Sequence, residues 1–75
     1  MKKYFIYLNP FFNQAPYWIM ETANKGMFYD AADPSFKKRS EISLSEHLES
    51  VKNGEAEELT ESEFKTWFVT KTLSK

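Results

Sequence analysis

His47 is the only histidine in a chain that has no cysteine. Acid–base, nucleophilic or metal chemistry would have to be built around it or among the carboxylates. A general base needs a fixed partner within hydrogen-bond reach, and no such partner stands at a recognisable spacing from His47. It lies three residues after Leu44 and one before Leu48, so it is expected at the rim of a buried apolar stripe, in a structural role. Glu55, Glu57, Glu58, Glu61 and Glu63 form the densest run of carboxylates. A catalytic pair needs two environments that separate its pKa values, and a run this rich in charge reads as a solvated face. Glu61 and Glu63 belong at a helix start, where the dipole favours negative charge. Glu57 and Glu58 remain as an acidic surface that a basic partner would meet. With Gly26 and Gly54 the only glycines, no phosphate-cradling loop can be written. No serine sits in a nucleophile elbow, and a structural zinc site normally needs four Cys or His ligands. The expectation is a protein that is not an enzyme and holds no cofactor or metal.

The residues suited to gripping a macromolecule are easier to find. The stretch from Tyr4 to Met20 carries Tyr4, Phe5, Tyr7, Phe11, Phe12, Tyr17 and Trp18. Five of these rings fit strands, where they can alternate into a core. Phe11 and Phe12 lie between Pro10 and Pro16, in a loop, and either fold back as a lid or form a partner-binding anchor, since aromatic residues dominate interface hot spots. A second candidate surface is Lys37, Lys38 and Arg39. Charge is divided along the chain: the first half is net basic and the second net acidic, for a formal total of −1. Two faces of opposite sign follow from this, and a uniformly basic nucleic-acid surface does not.

"KGMFYDA" (25–31) and "YFIYLN" (4–9) resemble the two aromatic strands of RNA-recognition-motif domains. The spacing excludes that family. Residues 9–16 are too few for the crossover helix it requires, and Phe28 stands where it needs a small residue. A looser nucleic-acid reading remains, with Phe5 and Tyr7 stacking bases beside Lys2, Lys3, Lys37, Lys38 and Arg39.

These groups must be positioned by a small number of elements. "YFIYL" (4–8) reads as a strand with Tyr4, Ile6 and Leu8 toward the core and Phe5 and Tyr7 on the other side. Residues 9–16 form a loop, and 17–23 and 27–32 form a hairpin in which Gly26 takes the left-handed position after a type I turn. Asp33-Pro34 ends the return strand, and 35–42 are a polar connection. Ser43 with Glu46 makes a capping box for a helix over 44–52, whose stripe is Leu44, Leu48 and Val51 and whose stop is Asn53-Gly54. Thr60 with Glu63 repeats the signal, and Leu59 with Phe64 supplies a hydrophobic staple. A second helix is expected from 61 to about 71, with Phe64, Trp67 and Phe68 inward.

The resulting fold class is α+β: a three-stranded antiparallel β-meander followed by two short helices packed on one face. The alternative places 66–73 as a fourth strand. The 75 residues form one small domain, residues 1–75, in which seven Phe, four Tyr and two Trp carry more of the core than the aliphatics do. The apolar run after Lys2 and Lys3 is too short for a secretory signal, and no stretch approaches a membrane span, so a cytoplasmic location and no membrane partner are expected. By elimination, the function expected is that of a non-enzymatic protein-binding module: an inhibitor, adaptor or accessory subunit of the bacterial or phage type. Its partner-binding residues would be drawn from Phe11, Phe12, Lys37, Lys38, Arg39, Glu57 and Glu58. A single-stranded nucleic-acid binder and a homo-oligomeric structural protein are the alternatives.

Overall fold

The computed structural model describes residues 2–8 and 15–73. Five strands and two helices follow one another as β1 (Lys3–Tyr7), β2 (Pro16–Thr22), β3 (Lys25–Asp30), β4 (Asp33–Ser40), α1 (Leu44–Lys52), β5 (Ala56–Leu59) and α2 (Glu61–Leu73). The strands make one antiparallel sheet in the order β4-β3-β2-β1-β5. The expected α+β class holds, but the three-stranded meander does not. Two further strands flank it, and β5 lies between the helices in sequence.

The first added strand, β4, occupies the segment expected to be a polar connection. Asp33-Pro34 opens this strand and does not merely end the previous one. Asp30 Oδ1 accepts hydrogen bonds from the amides of Ala15 and Ala32, each at 2.9 Å, which fixes the turn between β3 and β4 and ties it to the start of β2. Proline is tolerated at a sheet edge because no neighbouring strand needs its missing N–H. The second added strand, β5, is only four residues long. It pairs with β1, Tyr4 facing Leu59 and Tyr7 facing Ala56, and closes the other edge.

The helices also differ from expectation, because they cover opposite faces of the sheet. Successive strand residues point to opposite sides. Phe5 stacks on His47 of α1, with ring centroids 4.9 Å apart. Tyr4, one residue earlier, stacks on Phe64 of α2 at 4.7 Å. The sheet is therefore the middle of three layers. Phe5, expected on the less buried side of β1, is fully buried, while Leu8 is exposed.

Both helices start where expected, but of the two expected capping boxes only the second is complete. Ser43 caps α1 by accepting from the Glu46 amide. Thr60 and Glu63 form the full reciprocal box, with bonds of 2.9 and 3.1 Å. Gly54, at φ 78°, ends α1 in the left-handed region that favours glycine. Residues 66–73 continue α2, so the fourth-strand alternative for them is also overturned. The stripe on α1 is rotated from the expected one: Leu48 is 44% exposed and His47 takes the buried position.

Gly26 has a role other than the one expected. It does not have positive φ, which among the described glycines belongs to Gly54. It sits in β3 opposite Met20, where a Cβ would run into the Met20 sulfur and come within 2.9 Å of the Ile19 carbonyl. Overpacking of this kind costs about 1–3 kcal/mol. Urea denaturation should therefore find Gly26→Ala destabilised by about that amount and Thr60→Ala by about 1 kcal/mol. Leu48→Ala, at an exposed position, should stay within about 0.5 kcal/mol of the parent.

Candidate functional site

Strand register assembles the side chains into rows that run across the sheet. On the α1 face, Phe5 pairs with Trp18, Trp18 with Phe28, and Phe28 with Lys38. Tyr7, Trp18, Phe28 and Phe36 pass ring to ring with centroid separations of 4.4, 4.6 and 5.4 Å. This strip runs from beneath α1 toward β4, where Phe36 is 45% exposed. On the α2 face, Tyr17 is buried against Tyr29, Phe64, Trp67 and Phe68. Burial, reinforced by Tyr29, pushes the Tyr17 phenol above its usual pKa, so it is neutral at pH 7.

His47 lies under α1 with no solvent exposure. Its ring packs on Phe5 and Trp18, and Nδ1 lies 3.4 Å from the Tyr7 hydroxyl. Tyr7 donates its own proton to Ser50 Oγ at 3.1 Å. That assignment makes Nδ1 the protonated nitrogen and leaves the Nε2 lone pair without a partner among the described residues. A bare acceptor is a tolerable defect in a core, whereas a buried N–H⁺ with no acceptor is costly. Desolvation accordingly pulls the His47 pKa below its ordinary value, against a smaller opposing pull from Glu46. The expected rim position is thus corrected to the centre of the α1–sheet interface, where His47 serves as an aromatic core residue. No group of three or more metal-ligating side chains occurs among the described residues.

The candidate binding residues separate into distinct places. Lys37, Lys38 and Arg39 are exposed on β4, and none makes an ion pair among the described residues. Glu57 and Glu58 are exposed on β5, with Glu58 3.3 Å from Lys3. The basic and acidic groups are therefore on opposite edges of the sheet, four strand spacings or about 19 Å apart. Phe11 and Phe12 lie outside the described residues. Phe36 escapes the sequence analysis because it falls in the segment expected to be a polar connection. The clue available was its place two residues before Lys38, which becomes a shared face once 33–40 is a strand.

The surface depressions beside these edges are open to solvent. One of about 350 Å³ is lined by Glu21, Lys25, Gly26, Met27 and Arg39 at the β4 side. Another, of about 440 Å³, includes Ile6, Glu57, Leu59 and Trp67 at the β5 side. No helix among the described residues is long and apolar enough to cross a membrane. No protein-family model matches the chain, and no curated protein or solved structure shows significant similarity to it.

The state of His47 has a measurable consequence. Its pKa is near 6.5 when unfolded and lower when folded, so the unfolded chain binds more protons between the two values. Stability is then complete above about pH 6.5 and declines as pH falls toward the folded value, by at most about 1.4 kcal/mol per pH unit. Urea midpoints measured from pH 7.5 to 5 should fall in the parent. In His47→Phe, which keeps a ring on Phe5, the curve should be flatter over that range.

Proposed function

We propose that this chain is a cytoplasmic, non-enzymatic protein-binding module whose docking surface is the β4 edge. One observation carries the reading: β4 is an eight-residue outer strand whose described side chains, at 33–39, are all exposed. An outer strand offers unpaired backbone groups to an extended segment of another protein, and side chains at alternate positions then select the segment. Lys and Pro on an edge deter indiscriminate pairing. Lys37, Lys38 and Arg39 turn that deterrent into a charge filter, repelling basic strands and another β4 while admitting an acidic strand. Phe36, continuous with Phe28 and Trp18, supplies the apolar contact beside the charges.

The aromatic strip favours a second reading. Phe5 and Tyr7, the rings expected to stack bases, lie against His47 beneath α1 and Phe5 is fully buried, so they do not serve. Phe28 and the exposed Phe36 share a face with Lys38, an arrangement suited to stacking a base and holding a phosphate. The acidic side chains on β5 and at the start of α2 count against it at long range.

Fluorescence anisotropy with a labelled Glu-rich extended peptide, a Lys-rich peptide and an oligo-dT strand separates the two. Binding of the acidic peptide alone is expected. Lys37→Glu/Lys38→Glu/Arg39→Glu should weaken it at least tenfold, and Phe36→Ser several-fold. Binding of oligo-dT that falls steeply with salt and is lost in Phe36→Ser would transfer the function to nucleic acid. Failure of the acidic peptide to bind would remove the β4 reading.

A further inference from the structure

The cross-strand rows show a correspondence between the two edges. Lys37 faces Tyr29, Tyr29 faces Tyr17, Tyr17 faces Ile6, and Ile6 faces Glu57. On the opposite face the row is Lys38, Phe28, Trp18, Phe5 and Glu58. Each row thus begins with a lysine on β4 and ends with a glutamate on β5. The four pairings between β4 and β5 are all antiparallel, so these two edge strands have the same chain sense and a β5 edge added to β4 would pair with it in parallel. A second copy displaced by the width of the sheet and turned by its accumulated twist would continue the sheet with its faces aligned. Its Glu57 would then meet Lys37 and its Glu58 would meet Lys38, in matching register and on matching faces.

We infer that the chain associates head to tail with copies of itself, the acidic β5 edge of one protomer adding to the basic β4 edge of the next. This rests on the β4 reading above and names the occupant of that edge. Like-charged alternatives are disfavoured: β4 against β4 brings two sets of Lys37, Lys38 and Arg39 together, and β5 against β5 opposes glutamates. Direct cross-strand pairs of opposite charge favour pairing, and like pairs oppose it. A contact between different surfaces leaves one free edge at each end, so growth continues beyond a dimer unless the sheet's twist closes a ring. Glu57 makes no ion pair among the described residues and is free to engage. Glu58 would share its carboxylate with Lys3. With only four residues in β5, the contact is weak and sensitive to ionic strength.

Sedimentation equilibrium from 10 µM to 1 mM in low salt tests this. The weight-average mass should rise above the 8.9 kDa protomer without a plateau at the dimer, and should fall back in about 0.5 M salt. Lys37→Glu/Lys38→Glu and Glu57→Lys/Glu58→Lys should each be monomeric while keeping the parent circular dichroism. Glu57→Lys alone, which leaves the Lys3–Glu58 contact intact, should also weaken association. An equimolar mixture of the two double variants should associate again, because each supplies the charge the other lacks. A parent that stays monomeric at 1 mM, a plateau at dimer, variants that associate as the parent does, or a mixture that stays monomeric would each overturn the inference. Glu57→Lys/Glu58→Lys keeps β4 intact. If it still binds the acidic peptide while the parent does not self-associate, head-to-tail assembly fails and the β4 reading stands.

Discussion

The structure depends on β1 being buried from both sides. A strand of five residues carries Tyr4 and Ile6 to one face and Phe5 and Tyr7 to the other, and each set meets a different helix. Phe5 on His47 and Tyr4 on Phe64 are the two contacts that define the layers. A domain this small buries a modest fraction of its surface. It gains the most by placing large rings where both sides of one strand are used. Single-sided coverage would leave either Phe5, Tyr7, Trp18 and Phe28 or Tyr4, Tyr17 and Tyr29 against water. The position of α1 follows from this. It begins beside the β2–β3 turn, where the Leu44 amide bonds the Ala23 carbonyl at 2.8 Å. It ends near the far end of β1, where the Leu8 amide bonds the Glu55 carbonyl at 3.0 Å. His47 is thereby carried over the centre of the sheet.

Once the rings are committed to the middle layer, charge is left for the margins. The edge strands carry lysine and arginine on one side and glutamate on the other, and the aromatic rows connect them. Charged side chains on an outer strand deter indiscriminate edge-to-edge pairing. Lys3–Glu58 and Lys65–Glu61 form ion pairs among the described residues. Both are at least partly exposed, and pairs of that kind contribute little to stability.

Local signals were legible in the sequence where the chemistry is local. Ser43 as the cap of α1, Asn53 with Gly54 and Thr60 with Glu63 mark helix ends through bonds formed within a few residues, and each of these ends is found in place. The strands made of charged residues were not legible. "DPSFKKRS" and "AEEL" become strands because an aromatic neighbour offers them a pairing edge, and an edge strand needs few apolar residues of its own. The division of the helices between two faces was hidden for a related reason. A stripe traced through the aliphatic side chains of α1 runs through Leu48 and leaves His47 at its rim, whereas the ring that covers Phe5 is that of His47. The neighbours of Gly26 suit a turn, whereas the demand on it comes from Met20 and the Ile19 carbonyl of the adjacent strand. Of the candidate binding residues, the charged ones could be named from sequence. Their assignment to opposite edges came only from strand order.

The two-sided clamp on β1 is tested most directly by side-chain nuclear Overhauser contacts in solution. The His47 ring should show contacts to Phe5 and Trp18, and the Phe64 ring to Tyr4 and Tyr17, with no crossing between the sets. Contacts from His47 to Tyr4 or Tyr17, or from both helices to the same set of strand rings, would contradict the three-layer arrangement.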